Sequence, residues 1–527
     1  MTLRIGIDFD NTIACYDEAF NEAASNVGLL DKGESRDKED VKQKILNMHD
    51  GQRKWQALQG QVYGRHIEKA FMFPGLGRFL MRCKWKKYEI FIISHKTIFG
   101  HFDDSKIPLR DACVSWMTNR RFFEPHRYCL SKDNVFFADT RKNKISQIHA
   151  LKLDIMIDDL TEVFDEPHFP KIEKMLFSKS ANPEHRNYAT WEDISDKIFG
   201  PLSTQEVENF TKTLTSVSKK GRVRRVEGGR NSQVFRTEFD KDNIFCAKFY
   251  PAGRSEVLER QIKEYSALKT LDGKANVPKV IAYDKDLNLT ITDWIRGQPV
   301  NTVDDSDLDQ FFEFVTTLKH LTPNTGELNY PATEACLCVS DIMSQIKSRQ
   351  NIFSKIDHPL LREILGELFP KMFDQATLHA KSLIGENKID QALNPALQIL
   401  SPSDFGFHNA IKRNNGCIMF LDFEYFGLDD PVKLLADTLW HPGMTLKTSQ
   451  KLLLAKKFSV LFSEDAKFLD RLNACWPLYG LRWCLILLNA FRSEKNLRNF
   501  GLLEMQCSKS RGILNSLKQT EMQCPYV

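Results

Sequence analysis

The sequence predicts an α/β protein of two domains: a parallel sheet covered by helices, then a mixed region of strands followed by long helical stretches. Three observations carry this. Short apolar runs at 3–7, 90–93 and 155–157 each end on acidic or hydroxyl residues, with helical stretches such as 75–86 and 143–152 between them. Strands alternating with helices build a parallel sheet, and their ends then lie on one edge. Second, 527 residues exceed one ordinary core, so two to four domains are expected. Third, the polar stretch Pro201–Lys220 separates two patterned regions, and helical periodicity dominates from 301 onward.

Composition narrows the class. Hydrophobic content of 42% and charged content of 27% are those of a soluble globular protein. A net charge of +4 is too weak to argue for nucleic acid. The 12 cysteines form no C-x-x-C pair, so neither a zinc site nor a disulfide framework is expected, and a reducing cytoplasm is the expected compartment. The N-terminus MTLRIGIDFD has no apolar leader pattern. The most apolar late stretch, Trp483–Phe491, is shorter than the roughly 20 residues of a membrane span and reads as a buried helix.

In chain order, the first strand delivers Asp8-Phe9-Asp10-Asn11-Thr12, the second ends on Ser94, and the third ends on Asp158-Asp159. Carboxylates gathered on one sheet edge repel each other, which a bound dication and a lysine relieve. D-F-D-N-T, a strand with Ser, a Lys and a strand with D-D resemble, in order and spacing, the haloacid dehalogenase (HAD) superfamily of phosphatases. The resemblance implies that Asp8 is the nucleophile that forms an aspartyl-phosphate. It implies that Asp10 is the general acid and then base, and that Ser94 binds phosphoryl oxygens. Lys144, with Lys142 as the alternative, would neutralise the phosphate, and Asp158 and Asp159 would hold Mg²⁺ beside Asp8.

The polar, mostly helical insertion Ile13–Phe73 is either a cap that excludes water from the site or a decoration with no gating role. Residues 165–200 complete the first domain, with an apolar piece at 175–177 and a helix at 191–199. Residues 201–220 read as an interdomain helix or linker, and the basic run KKGRVRR at 219–225 as a solvated strand and turn.

The second domain is expected over 221–527, with a smaller lobe at 221–300 and a larger one at 301–527. Gly228, Gly229 and Asn231 lie in a turn between β-rich runs, where backbone N–H groups can approach phosphates. Lys248 follows on the next strand, and Glu264 lies in the helical run 256–271. The segment 400–424, LSPSDFGFHNAIKRNNGCIMFLDFE, sets Asp404 five residues before Asn409 and then runs through a turn and an apolar strand to Asp422. D-x-x-x-x-N, an apolar strand and D-F-E resemble the aminoglycoside phosphotransferase and choline kinase family, which has a bilobal protein-kinase-like α+β fold. The resemblance implies Asp404 as catalytic base and Asn409 and Asp422 as Mg²⁺ ligands. Lys248 would touch the nucleotide phosphates of ATP, held by Glu264. Thr292–Ile295, including Asp293 and Trp294, would meet the adenine through the backbone. Two departures stand out: Pro402 replaces the usual histidine two residues before the base, and Leu434 replaces the Asp three residues after Pro431.

The expectation is therefore a cytoplasmic bifunctional enzyme with Mg²⁺ and ATP as cofactors. One half would hydrolyse a small-molecule phosphate ester, and the other would phosphorylate a small hydroxyl acceptor, by analogy a sugar of surface polysaccharide synthesis. The rivals are a polynucleotide end-healing enzyme, a nucleotide-binding scaffold without catalysis and a protein kinase. The first is opposed by the absence of G-x-x-x-x-G-K-[ST], the last by the absence of an A-P-E-type segment after Asp422.

Overall fold

The computed structural model describes residues 2–31, 37–180, 182–226, 232–251, 253, 255–322 and 326–527. Gly228, Gly229 and Asn231 lie outside these residues. The chain forms two compact units, Met1–Glu259 with Ala282–Ile291, and Arg260–Ile281 with Thr292–Val527.

The first unit opens with β1 (Arg4–Ile7), β2 (Ala14–Cys15), α1 (Asp17–Asn26), α2 (Lys38–Leu46), α3 (Gly51–Tyr63) and β3 (Phe71–Met72). There follow α4 (Leu76–Lys86), β4 (Glu89–His95), α5 (Leu109–Asn119), β5 (Val135–Ala138), α6 (Arg141–Ala150) and β6 (Ile155–Asp158). Next are α7 (Thr161–Phe164), β7 (Glu173–Phe177), β8 (Asn187–Tyr188), α8 (Trp191–Phe199) and α9 (Thr204–Thr215). Its central sheet has the order β5-β4-β1-β6-β7-β8 and is parallel throughout. The runs 3–7, 90–93 and 155–157 are thus adjacent strands, their apolar side chains buried on both faces as a helix-covered parallel sheet requires. The chain winds from β1 to one edge of the sheet and then to the other, so β1 lies where strand order reverses, the position at which α/β sheets place ligands.

A second sheet, β12-β13-β11-β10-β9, contains β9 (Arg222–Val226), β10 (Gln233–Glu238), β11 (Ile244–Phe249), β12 (Val280–Asp284) and β13 (Leu289–Asp293). The basic run is its edge strand β9, largely solvated as expected, and edge charges discourage pairing with other chains.

The division between the units departs from the expected linker at 201–220. This stretch holds helix α9, closed by a Ser203–Glu206 capping box, with Val207 and Phe210 buried. Phe210 packs edge-on against both Trp85 of α4 and Phe249 of β11, at 4.6 and 5.6 Å. Arg82 of α4 donates from Nε to Glu206 Oε1 (2.7 Å) and from Nη2 to Glu206 Oε2 (3.2 Å). The turn 284–288 is pressed onto α4: a Cβ on Gly77 would come within 2.2 Å of the Asp286 carbonyl oxygen. Arg127 Nη2 donates to Asp284 Oδ1 at 2.8 Å, and the Gly75 N–H donates to Asn288 Oδ1 at 2.8 Å. Phe235, Phe249, Leu287, Leu289 and Ile291 therefore share one buried apolar cluster with Phe79 and Trp191.

Helix α10 (Ser255–Leu271) begins in the first unit and continues into the second from Arg260; there it and β14 (Gln298–Pro299) precede α11 (Asp305–Leu321), α12 (Val339–Phe353), α13 (Pro359–Leu365) and α14 (Leu368–Ile384). Short strands β15 (Ile399–Ser401), β16 (Ala410–Lys412), β17 (Ile418–Phe420) and β18 (Gly427–Asp429) follow. The chain ends with α15 (Pro431–Trp440), α16 (Thr448–Leu461), α17 (Phe468–Leu487), α18 (Glu494–Leu497) and α19 (Phe500–Gln519). The apolar stretch expected at 483–491 is longer than the sequence reading allowed. The helical segment Phe468–Arg492 is long and apolar enough to cross a membrane, and 83% of its most apolar window is buried inside the fold. Its residues Leu472, Trp476, Tyr479 and Leu485 belong to the unit's single large apolar cluster.

Glu206→Ala removes the capping box and strands the buried Arg82 guanidinium. Loss of one partner from a buried ion pair costs about 3–5 kcal/mol. The expected outcome is faster hydrogen exchange across 203–215 and a lower urea midpoint for the first unit, with much of the loss recovered in the Arg82→Met/Glu206→Leu double variant.

Candidate active sites

In the first unit, sheet register assembles the site. β1 and β6 pair with Ile7 opposite Ile157, so Asp8 and Asp158 leave the sheet side by side, and the Asp8 N–H donates to the Ile157 carbonyl at 2.9 Å. β4 flanks β1 on the other side and carries Ser94 to the same edge. Lys144 comes from α6, whose N-cap Thr140 accepts from the Asn143 N–H and so fixes the first turn. Its ammonium lies 2.5 Å from Asp8 Oδ1 and 2.7 Å from Asp158 Oδ2. Lys144 is 1% exposed, whereas Lys142 faces solvent, and the geometry thus separates the two sequence candidates.

Burial of this cluster sets its electrostatics. Desolvation raises the Asp8 carboxyl well above the usual range, against the opposing pull of Lys144. Asp159 is pushed up to about 7, by burial first and then by the charge of Asp158. Burial would lower Lys144, but Asp158 and Asp8 outweigh it and raise the ammonium. Asp8, Asp158 and Asp159 offer oxygens within 4.8 Å of one another. An all-oxygen donor set suits Mg²⁺, and a dication would relieve the repulsion that adds to burial in raising Asp8 and Asp159. Ser94 is fully buried, and its hydroxyl has no hydrogen-bond partner among the described residues. Such an orphan needs a reason, and a phosphoryl oxygen at the strand end would supply one.

Three residues missed in the sequence complete the site. Lys96, two residues past Ser94, lies 2.9 Å from both carboxylate oxygens of Asp10. The Tyr16 hydroxyl donates to Asp10 Oδ1 at 2.7 Å. From α2, Lys38 donates to the Tyr63 hydroxyl at 3.0 Å, and the charges of Asp159 and Asp10 act to raise its ammonium against the effect of burial. Asn11, in the left-handed region at φ 57°, donates to Asp159 Oδ2 at 3.2 Å. The insertion therefore reaches the carboxylates, and its residues Lys38, Trp55 and Tyr63 line a cavity of about 590 Å³ together with Asp8, Asp10 and Lys144.

In the second unit, the 400–424 segment forms the expected loop and hairpin. β15 ends at Ser401, Ser403 adopts φ 65°, and Asp404 follows. The Asn409 amide donates to the Asp404 carbonyl at 2.9 Å, which fixes the loop and leaves the Asn409 amide oxygen for another ligand. β16 and β17 pair in register from Ala410–Phe420 to Lys412–Ile418, and the chain then turns at Asp422 with φ 66°. Glu264, Asp422 and Glu424 place oxygens within 4.8 Å of one another. Glu264 thus lies beside Asp422. Lys248 lies on β11 of the first unit, its ammonium 5.3 Å from the Tyr250 ring centroid.

Asp293 ends β13. Its N–H donates to the Lys279 carbonyl at 3.0 Å and its Oδ1 accepts from the Lys279 N–H at 2.6 Å, so both are spent on pairing β13 to the chain beside it. Trp294 follows directly after β13.

The segment that lacks the usual histidine has other supports. Lys433 is buried, 2.8 Å from Asp429 Oδ2 and 3.2 Å from Asp437, and it donates to Ser403 Oγ at 3.2 Å. Arg482 meets Asp437 at 3.1 Å and Glu334 at 3.0 Å. His408 Nε2 stands 3.1 Å from Asp404 Oδ1, and His441 Nε2 stands 3.8 Å from the same oxygen. Hydrogen bonding and charge from His408 and His441 hold Asp404 below the usual range despite burial. His408 was in view in the sequence; His441 and Lys433 carry no local signal that ties them to the loop.

No protein-family model matches the chain, and no curated protein matches it. Among solved structures, a choline kinase from Cryptosporidium parvum is similar at 13% identity, over 61% of this chain and 98% of that one, with a TM-score of 0.41. A Plasmodium vivax ethanolamine kinase is similar at 11% identity, over 63% and 95%, with a TM-score of 0.41. A spectinomycin phosphotransferase in complex with ADP and spectinomycin is similar at 11% identity, over 59% and 99%, with a TM-score of 0.43.

Proposed function

We propose that the chain is a bifunctional small-molecule phosphate-transfer enzyme: a Mg²⁺-dependent phosphomonoester hydrolase of the HAD type in the first unit and an ATP-dependent hydroxyl kinase in the second. The reading rests on the residues of the two sites themselves. For the first, the supporting observation is Lys144 bridging Asp8 and Asp158 at the sheet edge, beside the partnerless Ser94 hydroxyl. For the second, it is the loop that presents Asp404, Asn409 and Asp422 around one hairpin.

In the hydrolase, an Asp8 oxygen attacks phosphorus, the bond from phosphorus to the ester oxygen breaks, and Asp10 protonates the departing alkoxide. Water then attacks the aspartyl-phosphate, with Asp10 taking its proton, and inorganic phosphate leaves. Lys144 balances the negative charge of the phosphoryl oxygens and Ser94 donates to one of them. Lys96 and Tyr16 hold the Asp10 carboxyl in place. Asp8, Asp158 and Asp159 would hold Mg²⁺, which supplies further neutralisation of the phosphoryl group when bound. A cavity of about 590 Å³ is of the size that takes a small metabolite.

In the kinase, Asp404 accepts the proton of the acceptor hydroxyl as its oxygen attacks the γ-phosphorus, and the bond to the β,γ-bridging oxygen breaks. Asn409 and Asp422 would hold the Mg²⁺ that accompanies ATP. The acceptor is a hydroxyl of a small metabolite, with a sugar as the first class to try. A kinase and a phosphatase that act on the same phosphate only consume ATP, so the two sites act on different positions of one metabolite or on successive metabolites.

Asp8→Asn abolishes phosphate release from an aryl phosphate and Asp10→Asn slows it by about 10²–10⁴-fold, while ATP turnover persists in both; near-normal release by Asp8→Asn contradicts the hydrolase assignment. Asp404→Asn loses phosphoryl transfer at unchanged ATP affinity, and Asp422→Asn also weakens Mg²⁺·ATP binding, both read by calorimetry beside the transfer assay. An acceptor labelled from γ-³²P-ATP by the Asp8→Asn protein keeps its label when wild-type protein and excess unlabelled ATP are added. Quantitative release of that label instead makes the two activities antagonists.

A further inference from the structure

Asp404 is followed four residues later by His408, and the chain brings His441 to the same carboxylate from the end of α15. The two imidazoles stack face to face with centroids 3.8 Å apart and planes inclined by 10°. Both present Nε2 to one oxygen, Asp404 Oδ1, at 3.1 and 3.8 Å.

The backbone is shaped around this pair. A Cβ on Gly406 would meet Met444 Sδ at 2.3 Å and His408 Nδ1 at 2.9 Å. A Cβ on Gly443 would meet His441 Cε1 at 2.9 Å and His408 Cβ at 3.1 Å. The Gly443 N–H donates to His441 Nδ1 at 2.9 Å, which places that ring's proton on Nε2, facing the carboxylate. His441 is braced in turn by the edge of Trp483, 4.6 Å between centroids, and the Trp483 indole N–H donates to Asp437 Oδ1 at 2.7 Å. Asp437 is held by Lys433 and Arg482. A continuous set of contacts thus runs from a buried ion-pair network to one oxygen of Asp404.

Asp404, His408 and His441 also satisfy the spacing of a metal site, with ligand atoms within 4.8 Å of one another. The tautomer opposes that use. A metal takes the lone pair of Nε2, and Gly443 already occupies Nδ1 as donor, so no ring nitrogen of His441 is left to carry the proton.

We propose that His408 and His441 are positioning residues that clamp Asp404 Oδ1 with two imidazole N–H groups and leave Oδ2 as the oxygen that receives the acceptor's proton. Pro402, two residues before Asp404, has no side-chain donor, so no such support comes from that position. The longer His441 separation fits this role, because catalytic hydrogen bonds often tighten only once reactants are bound. The inference rests on the kinase reading of Asp404 given above.

The test uses the full-length Asp8→Asn protein with Mg²⁺·ATP as donor and water as acceptor, and follows ADP formation. Asp404→Asn sets the floor. His408→Leu and His441→Leu remove the N–H at nearly constant volume; His408→Gln and His441→Gln restore an amide N–H near the Nε2 position. The expected result is a fall in kcat of about tenfold or more for each Leu variant, with KM for ATP unchanged. Each Gln variant recovers most of the rate, and the double Leu variant is no slower than Asp404→Asn. Equal rates for the Leu and Gln variants, or a loss expressed in KM for ATP, overturn the clamp. Thermal melting of every variant separates a lost fold from a lost rate. Stoichiometric Zn²⁺ binding that disappears in His441→Leu also overturns it, in favour of a metal site. An Asp404→Asn rate equal to that of the parent removes the kinase reading and the clamp with it, whereas a large Asp404→Asn loss beside normal Leu variants removes the clamp alone.

Discussion

The buried ammonium of Lys144 between Asp8 and Asp158 is the interaction on which the first unit's site depends. Two carboxylates delivered by adjacent parallel strands are forced close by the register, and burial raises the cost of charging Asp8. A cation at that point makes the arrangement tolerable, while truncating one partner of so buried a set leaves a charge without compensation. The first turn of α6, set by the Thr140 cap, therefore carries more than helix stability: it fixes where the ammonium lies. In the proposed hydrolase the phosphoryl oxygens would take up the cation that the carboxylates share.

The second unit reaches a similar end by different means. Its loop at 402–409 contains backbone in the left-handed region at Ser403, and non-glycine residues hold such a conformation only when their surroundings impose it. Lys433 imposes it through Ser403, while Asp429 and Asp437 keep Lys433 itself neutralised. Replacing Lys433 would thus act on loop geometry before it acts on chemistry. In both units a buried lysine lies between two aspartates, Lys144 between Asp8 and Asp158 and Lys433 between Asp429 and Asp437.

Much of this was legible in the sequence because it is local. Apolar runs ending on Asp8, Ser94 and Asp158 read directly as strand ends, and the parallel sheet gathers them as expected. The hairpin from Ala410 to Phe420 and the turn into Asp422 follow from one apolar run and one Asn-Asn-Gly turn. What was not legible depends on contacts between distant segments. Lys96 and Tyr16 bear on Asp10 only because β4 and the start of the insertion lie over β1, and no spacing rule announces that. Of the two alternatives for 201–220, helix or linker, the helix forms, and Phe210 packs against Trp85 and Phe249 across long sequence separations that no local signal announces. The Asp293 N–H and Oδ1 are both bonded to Lys279, which only the strand pairing reveals. His441 joins Asp404 through the packing of α15, and nothing in its neighbours' identity points there.

The central claim is that Asp8 carries the phosphoryl group in transit, with Lys144 and Ser94 arranged around it. The most direct measurement is acid-quenched peptide mass spectrometry of the full-length protein taken during turnover of an aryl phosphate with Mg²⁺. The account predicts a phosphoryl adduct on the peptide containing Asp8, removed by hydroxylamine as an acyl phosphate must be. Phosphate release with no adduct on that peptide at any quench time, or with an adduct on another residue, would contradict it.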